Sequence, residues 1–453
     1  MALSPRLSHP ITMVGAGLAT IGAVLVLTVF ALDLFGFHTN PYIGILVFLV
    51  LPAIFLFGLA LMPLGFWLNR RRERAGRGPA HWPSIDLNNP STRRAVLGIA
   101  VLTFVNVVIV SLAAYRGVEY MDSVGFCGQV CHEVMEPEFA AYQDGPHSRV
   151  TCVQCHIGSG ASWFVKSKLS GARQVVAVLA NSHSRPIPSP VSDLRPARDT
   201  CEQCHWPEKF HGDKVDVRRE YASDEANSET VMTLRVHVGG GSERLGIATG
   251  IHWHMNVANR IEYVATDDKR QTIPWVRLTD RQGRIREFRA PDVSDDAIAR
   301  GERRLMDCMD CHNRPSHPFD PSPERAVDTA IALGDISREL PFIRREAVAA
   351  LIERYDTREA AEARIAERLR GFYAKNYPSV ASSRSAALER AVGRTQALYR
   401  RNVFPRMNVG WGTYMNNIGH NSGPGCFRCH DDSHKSPDGA VIRQDCDLCH
   451  TIE

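Results

Sequence analysis

At 453 residues the chain is long enough for several domains, and 53 basic against 49 acidic residues leave a formal net charge of only +4. That near balance excludes a broad nucleic-acid-binding surface. The surplus is also local: residues 1–115 hold eight arginines and three acids, a net +5, while the remainder stands at −1.

Residues 11–32, 42–68 and 95–115 contain no charged side chain, and a bilayer core about 30 Å thick takes about 20 helical residues to cross. Three membrane-spanning helices are expected. A signal peptide and buried core helices are the rival readings, but the first run is too long for a signal h-region and lacks a small-residue cleavage site. Residues 69–94 carry seven arginines against Glu73 and Asp86. By the positive-inside rule this loop and the amino terminus are cytoplasmic, and everything after Tyr115 lies outside.

The outer part holds six cysteine pairs, each followed at once by histidine: Cys127–Cys131–His132, Cys152–Cys155–His156, Cys201–Cys204–His205, Cys308–Cys311–His312, Cys426–Cys429–His430 and Cys446–Cys449–His450. They use all 12 cysteines, so no thiol is left for a disulfide framework or a lone nucleophile. Two thiols a helical turn apart each form a thioether to a haem vinyl group, and the adjacent imidazole becomes the proximal iron ligand. Zinc knuckles use paired cysteines too, but a tetrahedral sulfur site does not call for histidine directly after the second. The reading is six covalently bound haem c groups, on the side of the membrane where c-type cytochromes are assembled. The first motif has three residues between its cysteines, and the extra one is expected to bulge outward.

Between the second and third motifs, residues 160–181 mix Trp163, Phe164, Leu169, Val175, Val176 and Leu179 with Lys166, Lys168 and Arg173. Two readings stand, an interfacial amphipathic helix and a core-facing helix with a solvated basic side. From about residue 207 to 300 the pattern alternates, and "TIPWVRLTDRQGRIREFRA" reads as a hairpin with Gly283 in its turn. The polar residues 207–230 before it read as a mobile excursion. Residues 322–375 and 385–402 read as scaffold helices without ligand-type residues. The last fifty residues hold two motifs. The expected fold is a mainly α multihaem cytochrome c with three N-terminal transmembrane helices and a small β-rich insert. Its divisions are a membrane anchor (1–116), a core with haems one to three (117–206), the insert (207–306), the fourth motif (307–320), the helical scaffold (321–403) and a two-haem segment (404–453).

Six low-spin haems need six distal ligands. Of the histidines outside the motifs, nine lie beyond the membrane part: His147, His183, His211, His237, His252, His254, His317, His420 and His434. His147, His317, His420 and His434 sit near motifs in loops able to fold over a haem, and they are expected to ligate. In "IHWHM", His252 and His254 would share one face of a strand, giving one distal ligand or a separate metal site. Met135 is a thioether candidate for the first haem, with ordinary packing as its alternative. His183, His211 and His237 read as bystanders.

The order of a span, a first motif followed closely by Met135, "PHSRVTCVQCHIG", a lysine-bearing segment and "CMDCHNRPSH" resembles the NapC/NirT family of membrane-anchored multihaem c-type quinol dehydrogenases. The likeness covers roughly residues 95–205 and 305–320. With extra spans and haems, the chain resembles the enlarged inner-membrane cytochromes of metal-respiring bacteria. The resemblance implies His147 as distal ligand to the fourth haem, His317 to the second and Lys168 to the third. It also implies quinol as substrate and a periplasmic cytochrome or reductase as partner. The acidic residue that the family places beyond the lysine is missing from "SGARQVVAV", and Met135 sits one place further on than usual.

Quinol oxidation releases two electrons and two protons, so it needs a one-electron acceptor at the membrane and a base. Lys166, Lys168, Asp122 and Glu133 are the candidates for quinol-site groups. The expected function is an inner-membrane hexahaem cytochrome, haem domain in the periplasm, that takes electrons from the quinol pool for anaerobic respiration. Its partners are the bilayer and a periplasmic acceptor, with homo-oligomerisation left open. Two alternatives stand: a terminal reductase of a small substrate such as nitrite or hydroxylamine, and a passive electron-transfer subunit without a quinol site.

Overall fold

The computed structural model describes residues 9–34, 51–76, 86–130, 132–158, 160–191, 194–240, 250–255, 259–420 and 423–453. They form two compact units, Met1–Asp122 with Ile157–Arg173, and Ser123–His156 with Gln174–Glu453.

In the first unit, α1 (Pro10–Leu34) and α2 (Leu51–Arg74) pack antiparallel along small residues. A Cβ on Gly15 would sit 2.6 Å from the Gly58 carbonyl oxygen, and one on Gly58 would sit 2.6 Å from the Ala19 nitrogen. Only small side chains let backbones approach this closely, as helices do in lipid. α3 (Pro90–Met121) runs on six residues past the expected end of its apolar stretch. Among the described residues one helix, Ala53–Arg74, is long and apolar enough to cross a membrane by length and composition, and α1 carries a shorter apolar run, Pro10–Leu25. The second expected span starts at residue 42, and residues 42–50 lie outside the described residues. Met13, Ile21, Leu56, Phe57, Leu97, Val101 and Ile109 are exposed on the three helices.

The motif region contributes α4 (His132–Gln143), α5 (Cys152–His156), α6 (Ala161–Leu179) and α7 (Ala197–Cys201). β1 (Asp213–Tyr221) and β2 (Glu229–His237) then pair antiparallel along their whole length, from Asp213 opposite His237 to Tyr221 opposite Glu229. This corrects the expected polar excursion: Val215 and Val217 alternate with charges, and a full ladder of backbone bonds forms without a deeply buried face. Asn227 at the hairpin tip is fully buried, its amide donating to the carbonyls of Arg338 and Leu340 at 2.9 Å each. The second sheet, in order β5-β4-β3-β6, comprises β3 (Arg260–Ala265), β4 (Trp275–Thr279), β5 (Ile285–Arg289) and β6 (Glu302–Leu305), with α8 (Asp295–Arg300) before its last strand. The β4–β5 hairpin turns at Gly283, φ +75°, as its sequence implies.

The short α9 (Cys308–Cys311) follows, closed at its start by a capping box between Asp307 and Asp310. Five scaffold helices come next, α10 (Pro323–Ala332), α11 (Ile343–Ile352), α12 (Arg358–Asn376), α13 (Pro378–Ser383) and α14 (Ser385–Asn402). Ser322 and Thr357 cap α10 and α12. Val327, Ile336, Leu340, Ile343, Leu351, Ile365, Leu369, Tyr373 and Tyr399 fill the core of this block, each large side chain contributing about 1.5–3 kcal/mol by its burial. The terminal β7 (His450–Ile452) adds to β2, so the first sheet joins the end of the chain rather than forming a self-contained insert.

Candidate haem sites

Each regular motif is one tight turn. The His205, His312 and His430 backbone nitrogens donate to the carbonyls of Cys201, Cys308 and Cys426 at 2.8, 2.8 and 3.0 Å, which brings each imidazole beside its own cysteines. The first motif solves its extra residue differently. Phe126–Val130 is a π-helical turn, whose wider turn absorbs one added residue and is how insertions are accommodated in helices. Gly128 in that turn lies against the Phe139 ring, where a Cβ would come within 2.2 Å. Cys131 lies outside the described residues, and Met135 is half-buried on α4.

Two imidazoles on opposite sides of one metal stand with their ring centres about 6 Å apart, given a metal–nitrogen bond of about 2 Å. Among the described residues, five motif histidines meet that condition. His156 faces His317 at 6.3 Å, His205 faces His147 at 6.1 Å, His312 faces His252 at 6.3 Å, His430 faces His254 at 5.8 Å and His450 faces His420 at 6.1 Å. The residues therefore fit haem on the chemistry of the donor set.

The tautomers fit as well. Nδ1 donates to a backbone carbonyl in His147 (Pro315, 3.0 Å), His252 (Val238, 2.9 Å), His254 (Ile251, 2.8 Å), His317 (Glu138, 2.8 Å) and His430 (Arg443, 2.8 Å). That arrangement leaves the Nε2 lone pair free for a metal. Burial holds the His156, His254, His312, His317 and His450 imidazoles below their ordinary pKa, keeping them in the neutral form that ligates.

Three arrangements differ from expectation. His147 faces the third motif's His205 rather than the fourth motif, so the third motif has an imidazole partner without Lys168. Ile251–Met255 is a 3-10 turn and not a strand. At three residues per turn, positions two apart point in different directions, and His252 and His254 serve two motifs instead of sharing one face. His434 is buried with both ring nitrogens engaged, one on Asp431 Oδ1 at 2.9 Å and the other on the Ile273 carbonyl at 2.7 Å, so neither faces a metal site. The Asp three residues before it was the legible signal. Among the expected bystanders, both His183 ring nitrogens are buried and without a hydrogen bond.

The motifs adjoin in chain order. The side chains of Cys127 and Cys152 lie side by side, as do those of Cys201 and Cys308. Cys155 also lies near Cys201, Cys311 near both Cys426 and Cys429, and Cys426 near Cys449. A cleft of about 520 Å³ beside the last two motifs is lined by Trp253, His254, His430, Leu448 and Cys449.

In the first unit, Lys168 Nζ lies 3.8 Å from Asp122 Oδ1, just beyond the end of α3. Burial raises the Asp122 carboxyl above its usual range, and the Lys168 cation opposes that rise. Lys166 sits over the Trp163 ring at 4.6 Å. In the second unit Glu133 is exposed and lies 3.9 Å from Arg406.

Covalent attachment motifs with facing imidazoles define a multihaem c-type cytochrome of electron transport. The N-terminal region of the NapC/NirT cytochrome c family matches residues 89–186, from the start of α3 to just past α6. The cytochrome c-type protein ImcH of Geobacter sulfurreducens is 43% identical over 448 residues, which span 98% of this chain and 88% of that protein. No solved structure matches. The chain belongs to the NapC/NirT cytochrome c family, a membrane-anchored family whose haem c is bound covalently.

Proposed function

We propose that the chain is an inner-membrane hexahaem cytochrome that oxidises membrane quinol and delivers the electrons to a periplasmic acceptor. The observation that carries this reading is the pairing of motif histidines: all five described pairs supply two imidazoles, which suits conduction and argues against an open iron of the kind a terminal reductase needs at those sites. Bound at the six motifs, haem iron takes up and passes on single electrons. His132 or Met135 would complete the first site, and the histidine pairs would hold the other five.

Three spans, with the arginine-rich loop in the cytoplasm, fit the exposed apolar faces of α1, α2 and α3 and the glycine seam between the first two. Asp122 then stands at the outer end of the third span. Its half-buried carboxylate, beside the Lys168 cation, is the base that accepts a quinol proton at Oδ1, and its raised pKa makes it the stronger base. Loss of two protons and two electrons turns quinol into quinone.

Asp122→Asn tests the quinol site. Reduction by quinol should fall by about 10²–10⁴-fold, the usual contribution of general base catalysis, while reduction by dithionite stays unchanged. Equal quinol rates in variant and parent would make the chain a passive electron-transfer subunit or place the base elsewhere.

A further inference from the structure

The outward face of α6 belongs to none of the haem sites. Val165, Leu169, Val176 and Leu179 follow at intervals of four, seven and three residues, which places them on one stripe of the helix. All four are exposed, Leu169 at 68%, Val176 at 64% and Leu179 at 82%, with Val175 beside them at 51%. Lys166 and Arg173 flank the stripe on one side, and the helix contains no acidic residue. Lys168 stands on the other edge of the stripe and reaches Asp122 at 3.8 Å. An apolar stripe edged only by cations has the composition of a helix lying in the headgroup layer, its apolar face about 5–10 Å deep and its basic side chains reaching back to lipid phosphates.

We propose that α6 lies in the bilayer interface as an anchor additional to the spans, its stripe in the acyl boundary and Lys166 and Arg173 on anionic headgroups. Two observations select lipid over a protein partner. Every charge bordering the stripe is positive, complementary to an anionic leaflet. The helix is also tied through Lys168 to Asp122, the residue immediately following the last helix of the anchor. The inference rests on the reading of that helix as a membrane span.

The test uses the whole holoprotein in nanodiscs of mixed phosphatidylglycerol and phosphatidylcholine. All native cysteines are taken up in thioethers, so Val176→Cys and Leu179→Cys each add one free thiol, with Leu333→Cys on the scaffold, 69% exposed in the parent, as the solvated reference. A membrane-impermeant maleimide should label both α6 thiols about tenfold or more slowly than the reference. Combining either with Arg173→Gln should speed its labelling by roughly fivefold, the contribution of one cation at an anionic surface. Rates equal to the reference at both positions would overturn the proposal. So would protection that appears only in particles holding two copies, which would assign the stripe to a dimer contact. Release of the chain from vesicles by carbonate would instead sink the span reading, an outcome separate from the labelling.

Discussion

His317 shows how one ligand is set from two distant parts of the chain. Its Nδ1 donates to the backbone carbonyl of Glu138 on α4, and the carboxylate of that same residue holds Arg314 at 2.8 Å, with both charged side chains nearly inaccessible. Arg314 in turn lies 4.1 Å from the centre of the Tyr414 ring. Removing one member of a buried ion pair strands the other, so Arg314→Ala should cost about 3–5 kcal/mol in denaturant unfolding. Glu138→Gln keeps the backbone acceptor but removes a negative charge 3.5 Å from the His317 ring. The potential of the haem at His156 should therefore rise, and potentiometry showing no shift in that haem would contradict the pairing. At Asp122 the pH dependence has a definite sign. A base acts when ionised, so quinol oxidation should climb with pH through the raised Asp122 pKa. Lys168→Met removes the cation that lowers that pKa, and the climb should move to higher pH.

At the scale of elements, thioether chemistry confines each attachment site to five or six consecutive residues, so the sequence displays the motifs outright. The β4–β5 hairpin and α14 were equally legible, one from Gly283 between alternating runs and the other from its helical spacing. Distal ligands were less so, because each comes from elsewhere in the chain and its partner is fixed by tertiary packing: His147 meets His205 and His317 meets His156. The run "IHWHM" misled through its period, since alternation cannot be told from a 3-10 turn over five residues. His252→Ala and His254→Ala should each convert one haem to high spin by electron paramagnetic resonance, and the double variant two; a single haem lost in all three would restore the shared-face reading. The π-turn is a further check. Gly128→Ala drives a methyl into Phe139 and should destabilise the first motif by about 1–3 kcal/mol, with Phe139→Leu relieving most of the loss in a double-mutant unfolding series.

Across the whole molecule, chain order and spatial order of the motifs coincide, which gives the six sites one sequence of neighbours from Cys127 to Cys449. The β1–β2 hairpin reaches the helical scaffold through Asn227, and β7 returns the last motif to β2. The long separations that hid these contacts in the sequence hold the second unit together. The parts of the chain beyond residues 89–186 also match a relative of similar length, so they are shared with that relative rather than a fusion peculiar to this chain. The most direct measurement of the proposed function is anaerobic mixing of the whole chain in nanodiscs with a low-potential naphthoquinol, followed by haem absorbance. Reduction of every haem that dithionite reduces is the predicted result. No haem reduced by quinol, with full reduction by dithionite, would contradict it.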